Sequence, residues 1–257
     1  MLKSLAGGAL FGERWGPSPP SVVALHGWRR SHSDFAAVLG PTSGAATGCV
    51  APDLPGFGGT PPPAEPWGSM EYAEQVAELI ESSDGPGGPC VVLGHSLGGR
   101  VAVRLAASFP ALVSGLVLTG APILPRPGGA TRSSFRYRTA RRMAKVGLVS
   151  EARLERARQR YGSEDYRAAE GVMRDTLVRL VSEDYEHSID SISCPVELVW
   201  GDDDNAAPLP IAKALAGRID GAHLVVCAGA GHLTPISVPE ELRQAVERCA
   251  NRVAHSS

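Results

Sequence analysis

The sequence predicts an α/β protein with a doubly wound, mostly parallel sheet of about eight strands. Two observations lead to this prediction. Short apolar runs bounded by turn residues alternate with helical stretches along most of the chain, as expected for parallel strands buried between helices. Serine, aspartate and histidine also follow directly after several of these runs, at the edge of a parallel sheet where active and binding sites are formed.

Six apolar runs are predicted to be the central strands. They cover residues 22–25, 49–51, 90–93, 113–119, 196–200 and 223–227. Residues 2–15 are expected to add one or two strands at the edge of the sheet. Helices are predicted over 69–82 with Ser69 as the N-cap, over 101–109 before Pro110, and over 240–251.

Residues 122–189 interrupt this alternation, because they contain no clear strand. The segment begins with a loop rich in proline and glycine over 122–129 and continues with helical patterns over 150–160 and 163–182. Residues 126–160 hold eleven Lys and Arg against two acids, whereas residues 163–190 hold eight acids against three arginines.

This segregated charge has two interpretations. The two halves pair with each other or form solvated helix faces, which is the usual role of surface charge. The sharper hypothesis is a basic rim that attracts an anionic substrate or partner. Four arginines would carry that rim: Arg136, Arg138, Arg141 and Arg142.

The pattern G-H-S-L-G at residues 94–98 lies between the predicted strand 90–93 and the predicted helix 101–109. A sharp turn of this form lifts a serine hydroxyl out of the sheet, and glycine is needed where a Cβ would collide with neighbouring backbone. The turn also leaves the N–H of Leu97 free at a helix N-terminus, where negative charge is stabilised. Ser96 is therefore a candidate nucleophile, and the other interpretation is a strand-to-helix turn without catalytic function.

An acid and a histidine follow Ser96 in the chain order Ser, Asp, His, each just past the end of a predicted strand. Strand 196–200 runs into Asp202, Asp203 and Asp204, and strand 223–227 runs into a glycine-rich loop that ends at His232. A serine hydroxyl needs a base within hydrogen-bond reach, and that base needs an acid that fixes its tautomer. We therefore predict that His232 is the base.

Together these motifs resemble the α/β-hydrolase family, in its serine-nucleophile, esterase-like branch. Four further segments are similar to family motifs: H-G-W at 26–28, D-L-P-G-F-G-G-T at 53–60, G-D-D-D-N-A-A-P at 201–208, and G-H at 231–232 with P-E at 239–240. The resemblance covers residues 20–121 and 190–250. It implies a hydrolase core over 1–121 and 190–257, with a helical cap over 122–189 inserted after the sixth strand.

The resemblance also implies which aspartate completes the triad with Ser96 and His232. The family spacing G-x-x-D-x-x-x-P selects Asp204, and Asp202 and Asp203 remain alternatives. Some relatives carry the acid after the preceding core strand instead, but residues 119–122 contain no carboxylate.

The same resemblance implies an oxyanion hole formed by the backbone N–H groups of Trp28 and Leu97. Backbone donors of this kind are preorganised for the charge that develops in the transition state. The side chains of His26, Trp28 and Arg100 are further candidates for binding substrate, and simple packing is an equal alternative for Trp28.

The predicted function is a serine hydrolase that forms an acyl-enzyme on a small carboxylic ester or related acyl substrate. A serine at position 96 excludes the relatives that use an aspartate nucleophile. One alternative keeps the triad in a lyase, a synthase or a C–C hydrolase that acts on an anionic substrate, for which Arg100 is suited. An alternative of another class is a ligand-binding receptor on a hydrolase scaffold. No metal or organic cofactor is implied.

Composition limits the partners. The chain has 257 residues and a net charge of −2, which does not favour nucleic acid or a membrane surface, so the expected partner is a small-molecule acyl substrate. No apolar run approaches the ~18 residues that span a bilayer, and the N-terminal residues are a poor match to a signal peptide. Five cysteines without C-x-x-C spacing argue against a disulfide framework or a zinc site. We expect a cytoplasmic protein.

Overall fold

A computed structural model of the chain describes residues 1–125 and 164–256. The strands of this described part form one sheet in the order β1-β2-β4-β3-β5-β6-β7-β8. Their bounds are β1 Lys3–Leu5, β2 Leu10–Trp15, β3 Val22–Leu25, β4 Cys49–Asp53, β5 Cys90–His95, β6 Val113–Thr119, β7 Val196–Gly201 and β8 His223–Cys227. Strands β3 to β8 pair in parallel, and β2 is antiparallel to both β1 and β4. The predicted fold class is confirmed.

Helices follow most strands. Their bounds are α1 Ala36–Leu39, α2 Ser69–Glu81, α3 Leu97–Ser108, α4 Glu164–Ala168, α5 Gly171–Leu180, α6 Glu186–Asp190, α7 Leu209–Arg218, α8 Thr234–Ser237 and α9 Pro239–Ser256. Short 3-10 turns cover Ala6–Gly8, His32–Phe35 and Pro110–Leu112. None of these described helices is both long and apolar enough to cross a membrane.

The sheet is covered on both faces. On one face, Val92 of β5 belongs to a buried cluster that includes Leu105 of α3, and on the other face Leu93 belongs to a cluster that includes Val246 of α9. All six residues of β5 are buried, which is why this strand reads as a continuous apolar run. Because both faces are closed, polar side chains that serve a site can gather only past the strand ends.

The start of α2 differs from the prediction that Ser69 is its N-cap. Ser69 is the first residue of the helix, and Gly68 is the N-cap. The carboxylate of Glu71 accepts the N–H of Gly68 at 2.9 Å, and Glu183 accepts both the N–H of Ser69 at 3.0 Å and its hydroxyl at 2.5 Å. A carboxylate more than one hundred residues away thus caps this helix, which no local pattern could reveal.

The single helix predicted over 163–182 is two helices in its described part, α4 and α5. The chain leaves the helical path at Ala169 and Glu170, and Gly171 has φ of +51°, in the left-handed region. The helix predicted over 150–160 and the proposed basic rim lie outside the described residues. The cap assignment of 122–189 therefore stays a prediction, with α4, α5 and α6 as its described part.

The acidic half of this segment contacts the remainder of the chain. Glu164 and Asp165 lie 3.8 and 3.7 Å from the guanidinium of Arg29, and Asp190 lies 2.6 Å from that of Arg218. These acids therefore have arginine partners outside residues 122–189. Such exposed pairs contribute little to stability, because solvent screens the charges.

Candidate active site

Ser96 lies in a strained turn between β5 and α3. Its φ of 52° and ψ of −108° are unfavourable for a residue with a side chain, and its N–H donates to the carbonyl of Thr119 at 3.0 Å. A Cβ on Gly98 would lie 1.9 Å from the carbonyl oxygen of Leu25, and one on Gly94 would lie 2.6 Å from that of Gly98. The two glycines are therefore required by close backbone approach, as the motif predicts.

Ser96, His232 and Asp204 form a continuous chain of contacts. Nε2 of His232 lies 3.0 Å from Oγ of Ser96, and Nδ1 of His232 lies 2.8 Å from Oδ2 of Asp204. A carboxylate can only accept, so Nδ1 carries the proton and Nε2 presents its lone pair to the serine hydroxyl. This is the tautomer in which a histidine acts as a general base toward serine.

Asp204 is held from behind by backbone donors. Its side chain is fully buried, and Oδ1 accepts the N–H groups of Ala206 and Ala207, each at 2.8 Å. The neighbouring aspartates contact other groups: Asp202 accepts the N–H of Gly229 at 2.7 Å, and Asp203 is exposed. Of the three consecutive aspartates, Asp204 is the one that contacts the histidine ring.

The two predicted oxyanion donors lie at adjoining loops. The N–H of Gly98 donates to the carbonyl of His26 at 3.0 Å, which ties the first turn of α3 to the loop that contains Trp28. Within residues 1–125 and 164–256, the backbone N–H groups of Trp28 and Leu97 have no acceptor. Donors left open beside a nucleophile are what stabilisation of an oxyanion requires.

His26 lies beneath this loop and contacts backbone. Its Nε2 accepts the N–H of Leu54 at 2.9 Å, so Nδ1 carries the proton and donates to the carbonyl of Gly27 at 2.7 Å. The ring is fully buried, and burial lowers its pKa. Both ring nitrogens hold backbone groups, one on the loop that contains Trp28 and one just past β4, and the role of His26 in binding substrate stays a prediction.

A cleft of about 790 Å³ opens above Ser96 and His232. Trp28 and Arg100, for which substrate binding is predicted, both line it, and Trp28 packs edge-on against Phe57 at 4.9 Å between ring centres. The aliphatic part of the wall comes from the end of β6 and from α5: Ile123, Leu124, Leu177, Leu180 and Val181. Among the described residues, no group of three or more His, Cys, Asp and Glu side chains could hold a metal ion.

Tyr185 also lines the cleft, although no sequence motif includes it. Its hydroxyl donates to Glu183 at 2.6 Å, and the guanidinium of Arg104 lies 5.0 Å from the centre of its ring. Burial raises the pKa of Tyr185, so the hydroxyl stays protonated. Tyr185 lies in the turn after α5, where no local sequence pattern marks it as part of a site.

A model of the alpha/beta hydrolase family matches residues 22–245. Since the match spans most of the chain, this protein belongs to the alpha/beta hydrolase family.

Individual relatives indicate the class of enzyme within this family. The chain is 31% identical over 256 residues to a pimeloyl-[acyl-carrier protein] methyl ester esterase of Aromatoleum aromaticum, with 89% of this chain and 97% of that protein covered. Among solved structures, a thermophilic esterase of Thermogutta terrifontis has a TM-score of 0.72 at 24% identity, covering 98% of this chain and 99% of that one. A serine hydrolase involved in carbazole degradation has a TM-score of 0.72 at 20% identity, with 98% and 99% covered.

The structural likenesses, at these identities, show the fold alone. The family match and the full-length relative together confirm the predicted class of enzyme, a carboxylic ester hydrolase.

Proposed function

We propose that this protein is a serine esterase that works through an acyl-enzyme, with Ser96, His232 and Asp204 as its catalytic triad. The observation that carries the proposal is the proton arrangement along these residues. The lone pair of His232 Nε2 faces the Ser96 hydroxyl at 3.0 Å, while Nδ1 is held at 2.8 Å by a buried carboxylate. This arrangement supplies the base that a neutral serine needs.

In the first half of the reaction, Oγ of Ser96 attacks the ester carbonyl carbon and its proton passes to Nε2 of His232. The oxyanion accepts the N–H groups of Leu97 and Trp28. The intermediate collapses, the bond between the carbonyl carbon and the alcohol oxygen breaks, and His232 returns the proton to the leaving alcohol. Asp204 stabilises the imidazolium that exists between these two steps.

In the second half, water attacks the acyl group on Ser96 with His232 again as base. The carbonyl–Oγ bond breaks, the proton returns to Ser96, and a carboxylic acid leaves. Each step uses the same two oxyanion donors, and no step requires a cofactor.

The wall of the cleft favours an aliphatic acyl group. Leu177, Leu180 and Val181 line the cleft together with Trp28, and burying each methylene of a substrate against such a wall contributes about 0.8 kcal/mol. The relative from Aromatoleum aromaticum is named for the methyl ester of a carrier-linked acyl group. We therefore propose an ester of an aliphatic acyl group with a small alcohol as the substrate class.

The experiment is labelling with a fluorophosphonate, followed by a series of p-nitrophenyl esters from acetate to dodecanoate, with Ser96→Ala as the control. We expect stoichiometric labelling of the native protein, turnover that rises with acyl length before falling, and neither signal in Ser96→Ala. Absence of labelling, or equal turnover by Ser96→Ala, would contradict the proposal.

A second candidate, a triad-bearing lyase or C–C hydrolase for an anionic substrate, has one observation in its favour. Arg100 lines the cleft, and its described contacts are a hydrogen bond to the carbonyl of Leu180 and an approach of 5.7 Å to the Tyr185 ring. Labelling of Ser96 combined with negligible turnover of every ester, methyl esters included, would favour this candidate.

The location in the cell is also a proposal. All five cysteines are free thiols, and four of them are buried. This is the pattern expected of a reducing compartment and is consistent with the predicted cytoplasmic location.

A further inference from the structure

His95, the residue before the candidate nucleophile, lies between the serine turn and the histidine loop. Its ring is 1% exposed, and Nε2 lies 2.8 Å from the backbone carbonyl oxygen of His232. A carbonyl can only accept, so Nε2 carries a proton and donates it. The contact joins positions 137 residues apart in the chain.

A second contact fixes the same loop two residues further on. The hydroxyls of Thr119 and Thr234 lie 2.5 Å apart, and both side chains are fully buried. Thr119 is the register partner of His95 across the parallel pair β5 and β6, at the carboxyl ends of both strands. His95 and Thr119, which are neighbours in the sheet, therefore hold the two residues that flank Leu233.

The other nitrogen of His95 shows that the ring is neutral. Nδ1 is buried and, among the described residues, has no hydrogen-bond partner. It faces the backbone of Gly27, where a Cβ would lie 2.9 Å from it. A proton placed on Nδ1 would have no acceptor among the described residues, which makes the charged ring costly.

The charges around His95 agree with this assignment. Burial first, and the nearby His232 ring second, lower the pKa of His95 to about 4, although the hydrogen bond to the His232 carbonyl and the charges of Asp34 and Asp204 act in the opposite direction. The centres of the His95 and His232 rings are 5.0 Å apart. A neutral neighbour at this distance leaves the positive charge that His232 acquires during catalysis without a repelling partner.

We propose that His95 is a positioning residue which, together with Thr119, holds the backbone of the His232 loop so that the imidazole meets Ser96 and Asp204 at once. The inference rests on the proposed function for the role of His232, but the two contacts that hold the backbone of residues 232–234 are observed in the structure. Positioning matters because a displacement of about 1 Å at a reacting group can cost on the order of 100-fold in rate.

The test compares His95→Phe, which keeps a planar ring but removes the donor, with His95→Gln, whose amide N–H reaches the position of Nε2. We expect His95→Phe to lower kcat on a p-nitrophenyl ester by roughly 10- to 100-fold with KM changed by less than about 2-fold. His95→Gln should recover most of that loss. His187→Phe, the same change at an exposed histidine, is the matched control.

Thr119→Val and Thr119→Ser test the second contact in the same way. Valine preserves the shape of threonine without the hydroxyl, so kcat should fall, whereas serine keeps the hydroxyl and should retain activity. If His95→Phe does not fold, His95→Asn takes its place, because the shorter amide falls short of the carbonyl while the side chain stays polar.

A spectroscopic measurement separates positioning from general stability. The proton on Nδ1 of His232 that is shared with Asp204 should give a strongly downfield proton NMR signal. We expect this signal to be lost or broadened in His95→Phe and kept in His95→Gln at temperatures where both variants are folded. Because the signal needs no turnover, it tests whether His95 positions His232 even if esterase activity is absent.

Two results would overturn the inference. One is a His95→Phe variant that keeps both kcat and the downfield signal. The other is an equal loss in His95→Phe and His95→Gln that follows the fall in Tm, since that would assign His95 to stability alone.

Discussion

Replacing Asp204 with asparagine tests the proton arrangement in the candidate active site without changing its shape. Oδ1 of Asp204 accepts two backbone N–H groups, from Ala206 and Ala207, at 2.8 Å each. An amide nitrogen cannot take that place, because it would face two donors. The asparagine oxygen therefore stays there, and its NH₂ group turns toward His232.

This orientation reverses the histidine. An NH₂ group can only donate to Nδ1 of His232, so Nδ1 loses its proton and Nε2 gains one. Nε2 then donates to Ser96 when it should accept. In serine proteases the equivalent wrong tautomer lowers kcat by about 10⁴-fold, which corresponds to roughly 5.5 kcal/mol of transition-state stabilisation, and we expect a loss of that order here.

The assay is kcat on the best p-nitrophenyl ester, with the rate of fluorophosphonate labelling as a measure of the nucleophile alone. Asp203→Asn is the matched control, since Asp203 is exposed and does not contact His232, and it should stay within about 2-fold of the native rate. If Asp204→Asn retains a tenth or more of native kcat, or if Asp203→Asn loses as much, the reasoning is refuted.

Two further predictions concern stability. Gly98→Ala should lower the free energy of unfolding by roughly 1–3 kcal/mol or more, because its Cβ would lie 1.9 Å from a carbonyl oxygen. Gly217→Ala, which has open space around it in α7, should raise the free energy of unfolding by about 0.4–1 kcal/mol. Urea unfolding measures both changes, and equal effects of the two substitutions would contradict this reasoning. Burial raises the pKa of the Cys90 thiol from 9.0 to about 12, so between these values the unfolded chain loses a proton that the native state keeps. This thiol should therefore lower the free energy of unfolding by about 1.4 kcal/mol for each pH unit between pH 9 and about pH 12. Cys90→Ala should reduce this dependence of the free energy of unfolding on pH, as measured from denaturant midpoints.

Much of the architecture could be predicted because it depends on local patterns. The central strands lie where the apolar runs occur, since a strand buried on both faces needs apolar residues at every position. β4, β5 and β7 extend to Asp53, His95 and Gly201, beyond the predicted runs. Each of these three strands ends in residues that are not apolar, so the hydrophobic pattern alone does not predict its last residues.

The errors arose where a distant part of the chain changed the local outcome. Ser69 is a good N-cap by sequence, but Glu183 supplies the acceptor, and the cap moves to Gly68. The helix predicted over 163–182 breaks before Gly171, because that glycine adopts a left-handed conformation which the apolar spacing does not register.

By itself the sequence determined the fold class, the strained serine turn and the family. It also determined which residue types follow the strand ends, because strand propensity, tight turns and glycine requirements are properties of short segments. The family spacing already selected Asp204, and the tertiary structure places its carboxylate against His232. Only the tertiary structure decided that His26 holds backbone on two loops, and that His95 and Thr119 hold the backbone around His232. These outcomes depend on hydrogen bonds between positions far apart in the chain, and such contacts exist only after the sheet has set the register of its strands.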